Sequence, residues 1–316
     1  MPRDDGGRLP SVGDEMPKRR ERTLLQRAVT RPAFWAAAAL LAGTAILRLA
    51  WPAAFLGIHD PALIREASAA GMVAVGMTMV LIAGGIDLSA GALIAVAGSV
   101  ASLVVHAGGA WWVAAICGLA ASAAFGLANG LLIALAALPP FLVTLGSFAI
   151  AGSAAAILQA HSTPTGLPLP HPLWLLGVTA GILALVLWTT VWGRHLFAFG
   201  GNAQAAKANG VPVKRLTVEA YALSAALAGL AGLVIAAPAA EASGAGETLR
   251  AVAAAVIGGA SFAGGVGGAA GAVVGALLLV ALHHVLPLAG LDANWLGVVV
   301  GICIVAAVMA ARRRAV

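Results

Sequence analysis

Few side chains in this sequence could do chemistry. Asp87 stands in "AGGIDLSAG" (83–91), between the apolar runs "MVAVGMTMVLI" and "ALIAVAGSVASLVV". A carboxylate in such a setting needs hydrogen-bond donors or water. Two compatible roles suit it. In the first, Gly84-Gly85 ends one helix, and Asp87 or Ser89 caps the next by accepting from its first free N–H groups. Negative charge would then also lie at the positive end of a helix dipole. In the second, the break lines a water-filled pathway. Irregular backbone at membrane depth persists only where it is buried in protein or meets water, and an ionisable residue there is a functional candidate.

A second candidate stretch is "GLANGLLIALAALPPFLVTLGSFAI" (126–150), with Asn129 inside an apolar run and Thr144 and Ser147 after Pro139-Pro140. The proline pair breaks the chain. A broken helix can offer backbone groups to a solute; a tight hairpin, with Asn129 bonding a neighbouring helix, fits equally well. In "AVIGGASFAGGVGGAAGAVVGALL" (255–278), Gly267, Gly271 and Gly275 form a double small-xxx-small ladder that suits close helix packing.

Other chemistries lack their residues. His283 and His284 are adjacent, so they point to different helix faces, and no acidic or cysteine cluster accompanies them in the sequence; no metal site is expected. There is no nucleophilic triad and no pair of catalytic carboxylates. The three lysines, Lys18, Lys207 and Lys214, all lie outside any GxxxxGK[ST] loop, so a phosphate-cradling loop of that type is absent. Cys117 and Cys303 both fall within apolar runs, which argues against a disulfide framework.

The longest polar interruption is "GRHLFAFGGNAQAAKANGVPVKR" (193–215). Its punctuation spells a short helix. Asn202 caps the start, Ala203 to Ala208 favour helix, Asn209-Gly210 suit its end, and Pro212 prevents continuation. A helix this short is marginal alone in water. It lies on the bundle surface or docks a partner.

These residues sit in a chain built for a bilayer. Of 316 residues, 61% are hydrophobic and only 9% charged, with a mean hydropathy of +0.99; a soluble domain carries roughly 25% charged residues. The fold class expected is all-α, a polytopic membrane protein with about ten transmembrane helices and both termini cytoplasmic. The spans read as 33–52, 63–83, 88–106, 110–130, 140–158, 172–192, 217–237, 249–263, 266–287 and 293–311, from the ~20 apolar residues each crossing needs. Residues 1–32 read as a disordered cytoplasmic tail, 33–311 as the permeation domain with a cytoplasmic loop at 193–216, and 312–316 as a basic cytoplasmic end.

Charge orients the chain. The tail holds eight Lys or Arg, loop 193–216 holds four and the C-terminus three, so fifteen of the eighteen fall on one side. The loops expected outside, 106–110 and 159–171, hold none. This is the positive-inside pattern rather than a basic face, so the net charge of +6 does not point to nucleic acid. Trp35, Trp51, Trp111, Trp112, Trp174, Trp192 and Trp295 all fall near span ends, as interfacial belts do. Two stretches, "IAGGIDLSAG" (82–91) and "IGGASFAGG" (257–265), share a Gly-Gly pair and a later glycine; both are expected at hairpin turns on the same side.

Taken in order, these blocks resemble one family: the permease subunit of a bacterial ATP-binding cassette importer of the ribose type, within the branched-chain amino-acid and sugar permeases. "AGGIDLSAGALIAVAG", "GLANGLLI…LPPFLVTLGSFAI", "GRHLFAFGGNAQAAKANGVPV" and "AVAAAVIGGASFAGGVGGAAGAVVGALLL" carry it, from about 65 to 310. The resemblance implies no catalysis in this chain and no cofactor bound directly, ATP being used by a partner. It implies ATPase subunits, a periplasmic or lipid-anchored solute-binding protein, a second permease copy or paralogue, and a place in the bacterial inner membrane. Gln204-Ala205-Ala206 with Gly210 resembles the ATPase-docking motif, so a docking helix at about 200–212, with Gly201, Asn202, Gln204, Ala205, Ala206 and Gly210, would face the ATPase. By the same resemblance Asp87, Ser89, Asn129, Pro140, Thr144 and Ser147 would lie along the translocation path of a monosaccharide or similar solute. The alternatives are a branched-chain amino-acid permease, a proton-coupled secondary transporter with Asp87 as carrier, and a membrane scaffold that transports nothing.

Overall fold

The computed structural model describes residues 60–314, apart from 162, 164, 236–244 and 293. The tail 1–32 and the first expected span, 33–52, lie outside the described residues. Eleven helices follow: α1 Pro61–Ile82, α2 Ala90–His106, α3 Trp111–Leu135, α4 Pro140–Gln159, α5 Pro172–Thr189, α6 Val191–Gly201, α7 Ala203–Ala208, α8 Val213–Ile235, α9 Ala245–Ile257, α10 Ala269–Leu288 and α11 Trp295–Arg314. The described fold is all-helical.

Helix starts follow local chemistry. Asp60 caps α1, its Oδ1 accepting from Ala62 N at 2.8 Å, and Pro61 occupies the first turn, where its missing N–H costs nothing. Proline also opens α4 and α5. Among the described residues, six helices are long and apolar enough to cross a membrane: α1, α3, α4, α5, α8 and α10. Helix α2 is apolar but has 17 residues, and α9 has 13. Nine of the ten expected spans thus coincide with helices, and three of those nine, α2, α9 and α11, are not among the six.

Helices α1 and α8 form the middle of the bundle. Helix α8 packs against α3, α1 and α2; α10 packs on α1, and α9 lies against both. Met72, Met77, Leu81 and Leu93 are fully buried there. Glycine sets the closest seams. A Cβ on Gly126 or Gly130 of α3 would run into the backbone of α8 at Tyr221–Ala222 or at Val218. The α10 ladder is shorter than expected. Gly271 and Gly275 press on the backbone at Gly258, just past α9, and at Ala254 within it, but Gly267 precedes the helix and packs on Ile82 and Thr78. The outer faces are apolar and open: Trp174 is 72% exposed and Ile302 64% exposed. Such faces suit lipid.

Candidate functional site

The segment after α1 folds back into the bundle. Gly84 takes φ 80°, a left-handed backbone that glycine adopts without strain. Asp87 then lies beside Ser224 in the middle of α8, whose Oγ donates to its Oδ2 at 2.9 Å. Ser224 in turn packs against Gly76. Gly76 precedes the end of α1 by six residues, so the segment has re-entered by about 9 Å at 1.5 Å per residue.

The polar side chains of this re-entrant segment all find partners. Asp87 Oδ1 accepts from Ser89 N at 2.9 Å and from Ser89 Oγ at 2.6 Å. Asn129 Nδ2 donates to Ser89 Oγ at 3.1 Å. The Ile86 carbonyl accepts from Tyr221 Oη at 3.2 Å and from Thr144 Oγ1 at 3.4 Å. Asp87 and Ser89 have no exposed surface. A non-helical stretch inside an apolar bundle persists because α3, α4, α8 and α9 all supply its hydrogen bonds.

The expected cap requires correction. Neither Asp87 nor Ser89 caps α2 with its side chain. The carboxylate is taken up by Ser89 and Ser224, and Thr248 of α9 does the capping. Its Oγ1 accepts from Gly91 N at 2.9 Å and donates to the Leu88 carbonyl at 3.2 Å. The first turns of α2 and α9 therefore meet inside the bundle, and their positive dipole ends share the region where Asp87 lies. Helix α2 begins part-way through the bundle, which explains why it is short.

The Pro139-Pro140 stretch is a hairpin turn between α3 and α4, the plainer of its two readings. Ala137 takes φ 54° within it. Pro140 starts α4, and Thr144 is fully buried, bonded also to the Pro140 carbonyl at 3.0 Å. Asn129 and Ser147 share a groove of about 420 Å³ between α3 and α4, lined otherwise by apolar residues such as Phe125 and Leu142. Ser147 Oγ is buried without a hydrogen-bond partner.

The polar loop folds as its punctuation indicates. Asn202 Oδ1 accepts from Ala205 N at 2.9 Å, α7 runs Ala203–Ala208, Asn209 ends it, and Gly210 turns with φ 78°. Gln204, Ala205, Lys207 and Ala208 are exposed, as are Gly201, Asn202 and Gly210; only Ala206 is buried. Helix α7 touches its own neighbours, α6 and α8, and presents a free outer surface.

A backbone contact joins this unit to the re-entrant turn. Gly265 N donates to the Ile82 carbonyl at 2.9 Å. Gly200 of α6 fits against both residues so tightly that a Cβ there would collide with Ile82 O and Gly265 N. The two Gly-Gly turns, read as lying on one side, do meet at this point. A crevice of about 370 Å³ opens beside them, with Gly84, Gly85, Pro140, Gly201, Asn202 and Tyr221 in its walls. The two groups of residues singled out in the sequence thus converge at one end of the bundle. Sequence reasoning missed Ser224, Tyr221 and Thr248. The one tyrosine of the chain was the single visible signal.

Comparison with known proteins agrees with this arrangement. A family model described as the permease component of a branched-chain amino acid transport system matches residues 61–308. The chain belongs to that permease family. It is 38% identical over 258 residues to a probable ABC transporter permease protein of Sinorhizobium fredii, covering 75% of this chain and 76% of that one. It is 32% identical to the ribose import permease protein of Escherichia coli, over 78% and 83% of the two chains. It is 30% identical to the fructose import permease protein of Rhizobium meliloti, over 78% and 75%. No solved structure matches. The chain is a multi-pass membrane transport component, and its family is not itself catalytic.

Proposed function

We propose that this permease is the membrane-spanning subunit of an ATP-driven importer in the bacterial inner membrane, carrying a monosaccharide or related polar solute. The relatives named for ribose and fructose import support the solute class. In this reading a solute-binding protein delivers the solute to the end of the bundle far from α7. Two permease copies, or this one and a paralogue, enclose the path. Separate ATPase subunits dock on α7 and hydrolyse the ATP. The full set of ten spans, with both termini cytoplasmic, belongs to the same reading.

The observation that carries it is the contact of Gly200 and Gly265 with Ile82. Helix α7 is exposed to a partner, and α6, directly before it, abuts the end of α1 from which the re-entrant turn departs. A displacement of α7 by a docked ATPase is therefore passed by hard backbone contact to the turn and to α2. Close-packed backbone transmits displacement rather than absorbing it.

The test is reconstitution in proteoliposomes with the ATPase and binding protein. Uptake of labelled monosaccharide is expected only with ATP on the ATPase side. Uptake driven by a proton gradient without the ATPase would overturn the reading in favour of an Asp87 proton carrier. Replacing exposed Ala205 with Trp is expected to abolish ATPase association and leave the bundle folded.

A further inference from the structure

His283 and His284 do meet an acidic group, against expectation. Glu66, in the second turn of α1, reaches across to the end of α10. Its Oε1 lies 3.2 Å from His283 Nδ1 and its Oε2 lies 3.6 Å from His284 Nε2. One ligand atom from each of the three residues falls within 4.8 Å of the other two. Adjacent histidines on one helix converge because each presents a different ring nitrogen, and because the rings stand edge to face at 79°.

A backbone carbonyl fixes one of these nitrogens. His284 Nδ1 lies 3.0 Å from the Val280 carbonyl, which can only accept, so Nδ1 carries the proton. The lone pair of a neutral His284 is then on Nε2, facing a carboxylate oxygen. At 3.6 Å the two acceptors are too far apart for a hydrogen bond, and a cation between them would satisfy both. A ring N–H held by a backbone carbonyl is also the arrangement that orients metal-bound histidines.

Space and access are present. A cavity of about 30 Å³ adjoins the cluster, with Glu66, His283, Glu247 and Arg250 in its wall. That exceeds the ~10–15 Å³ a single water requires. The nearby Arg250 is paired with Glu247 at 2.9 Å, so its charge is offset. All three cluster side chains are partly exposed.

We propose that Glu66, His283 and His284 form a binding site for a divalent transition metal of the zinc class. Two imidazoles and one carboxylate are a zinc donor set, and they leave a fourth position for water. Tetrahedral zinc places its ligand atoms about 3.3 Å apart, from bond lengths near 2.0–2.1 Å. One edge, Glu66 Oε1 to His283 Nδ1 at 3.2 Å, already matches this, and the other two, within 4.8 Å, close by side-chain rotation as the ion binds. The metal takes the place of the proton between His283 Nδ1 and Glu66 Oε1. Bound zinc ties the start of α1 to the end of α10, at the far end of α1 from Ile82 and α7.

The experiment uses the full chain, purified through a histidine-free tag into lipid nanodiscs and titrated with Zn²⁺ against a chromophoric chelator. The expected result is one Zn²⁺ per chain at pH 7.5. Glu66→Gln and His284→Gln are each expected to weaken binding by ~10-fold or more, with Mg²⁺ failing to compete. His106→Gln, in α2, is the control and binds as the parent does. Co²⁺ read by its visible spectrum tests the unmodified chain without any variant, and a tetrahedral band displaced by Zn²⁺ is expected. Absence of Zn²⁺ binding together with absence of that band overturns the proposal. So does Zn²⁺ binding that Glu66→Gln and His284→Gln leave unchanged.

Discussion

Ser224 Oγ donates to Asp87 Oδ2 at 2.9 Å, joining positions 137 residues apart and pinning the turn after α1 to the middle of α8. Ser89 holds the other oxygen through its N–H and its hydroxyl. Asp87 acts here as a fastener of irregular backbone.

Replacement of Asp87 separates its charge from its hydrogen bonds. In Asp87→Asn the remaining oxygen still accepts from Ser89 N and Oγ, and the amide can donate to Ser224, whose hydroxyl turns to accept. This variant is expected to fold and to transport. Asp87→Ala strands the Ser89 N–H and is expected to cost about 1–3 kcal/mol, the penalty for an unsatisfied buried donor. Thermal unfolding in detergent and uptake in proteoliposomes measure the two effects. Loss of uptake in a well-folded Asp87→Asn would mean that the charge itself is used.

Thr248→Val tests the meeting of the two helix starts. Valine matches threonine in shape but cannot accept from Gly91 N or donate to the Leu88 carbonyl. The loss of an N-terminal cap costs about 1 kcal/mol, and the stranded Leu88 carbonyl adds to it. The expected outcome is a lower unfolding midpoint, with hydrogen exchange rising at the first turn of α2 more than in its last turns.

Much of this site was legible in the sequence, and what was hidden has a common cause. Helix α7 was readable to the residue because Asn202, Asn209, Gly210 and Pro212 act within one turn of chain. Asp87 was conspicuous for its setting. Its partners were not, because Ser224 and Thr248 lie 137 and 161 positions away from it and a serine in an apolar helix looks merely tolerated. Glu66 lies 217 positions from His283, so the histidine pair read as unaccompanied. The re-entrant depth was hidden for another reason. Hydropathy reports that a segment is apolar, but not where along the bundle it begins, so α2 looked like an ordinary span.

Gly200→Ala against Gly201→Ala is a matched pair of neighbours. At Gly200 a methyl group would collide with Ile82 O and Gly265 N, both backbone atoms that cannot rotate away. At Gly201 it would meet nothing within 4 Å. The first change is expected to cost about 1–3 kcal/mol, as overpacking does. The second is expected to be silent in stability. If α6 passes motion to α1 through this contact, Gly200→Ala also lowers uptake per ATP hydrolysed, while Gly201→Ala leaves that ratio unchanged. Equal ratios in both would remove the contact from the coupling.

Ser147→Ala addresses the groove between α3 and α4. Nearly every other buried side-chain oxygen or nitrogen among the described residues has a partner, whereas Ser147 Oγ has none. Removing an unpartnered buried hydroxyl takes away a desolvation cost, so the variant is expected to be as stable as the parent or slightly more so. If the translocation path opens this groove, the Ser147 hydroxyl has no protein partner to give up before bonding the solute. The variant is therefore expected to raise the solute concentration needed for half-maximal uptake while leaving ATPase association intact. Asn129 lines the same groove, but its amide already bonds Ser89. Asn129→Ala is expected to lower stability as well, so the contrast between the two variants isolates contact with solute from support of the turn.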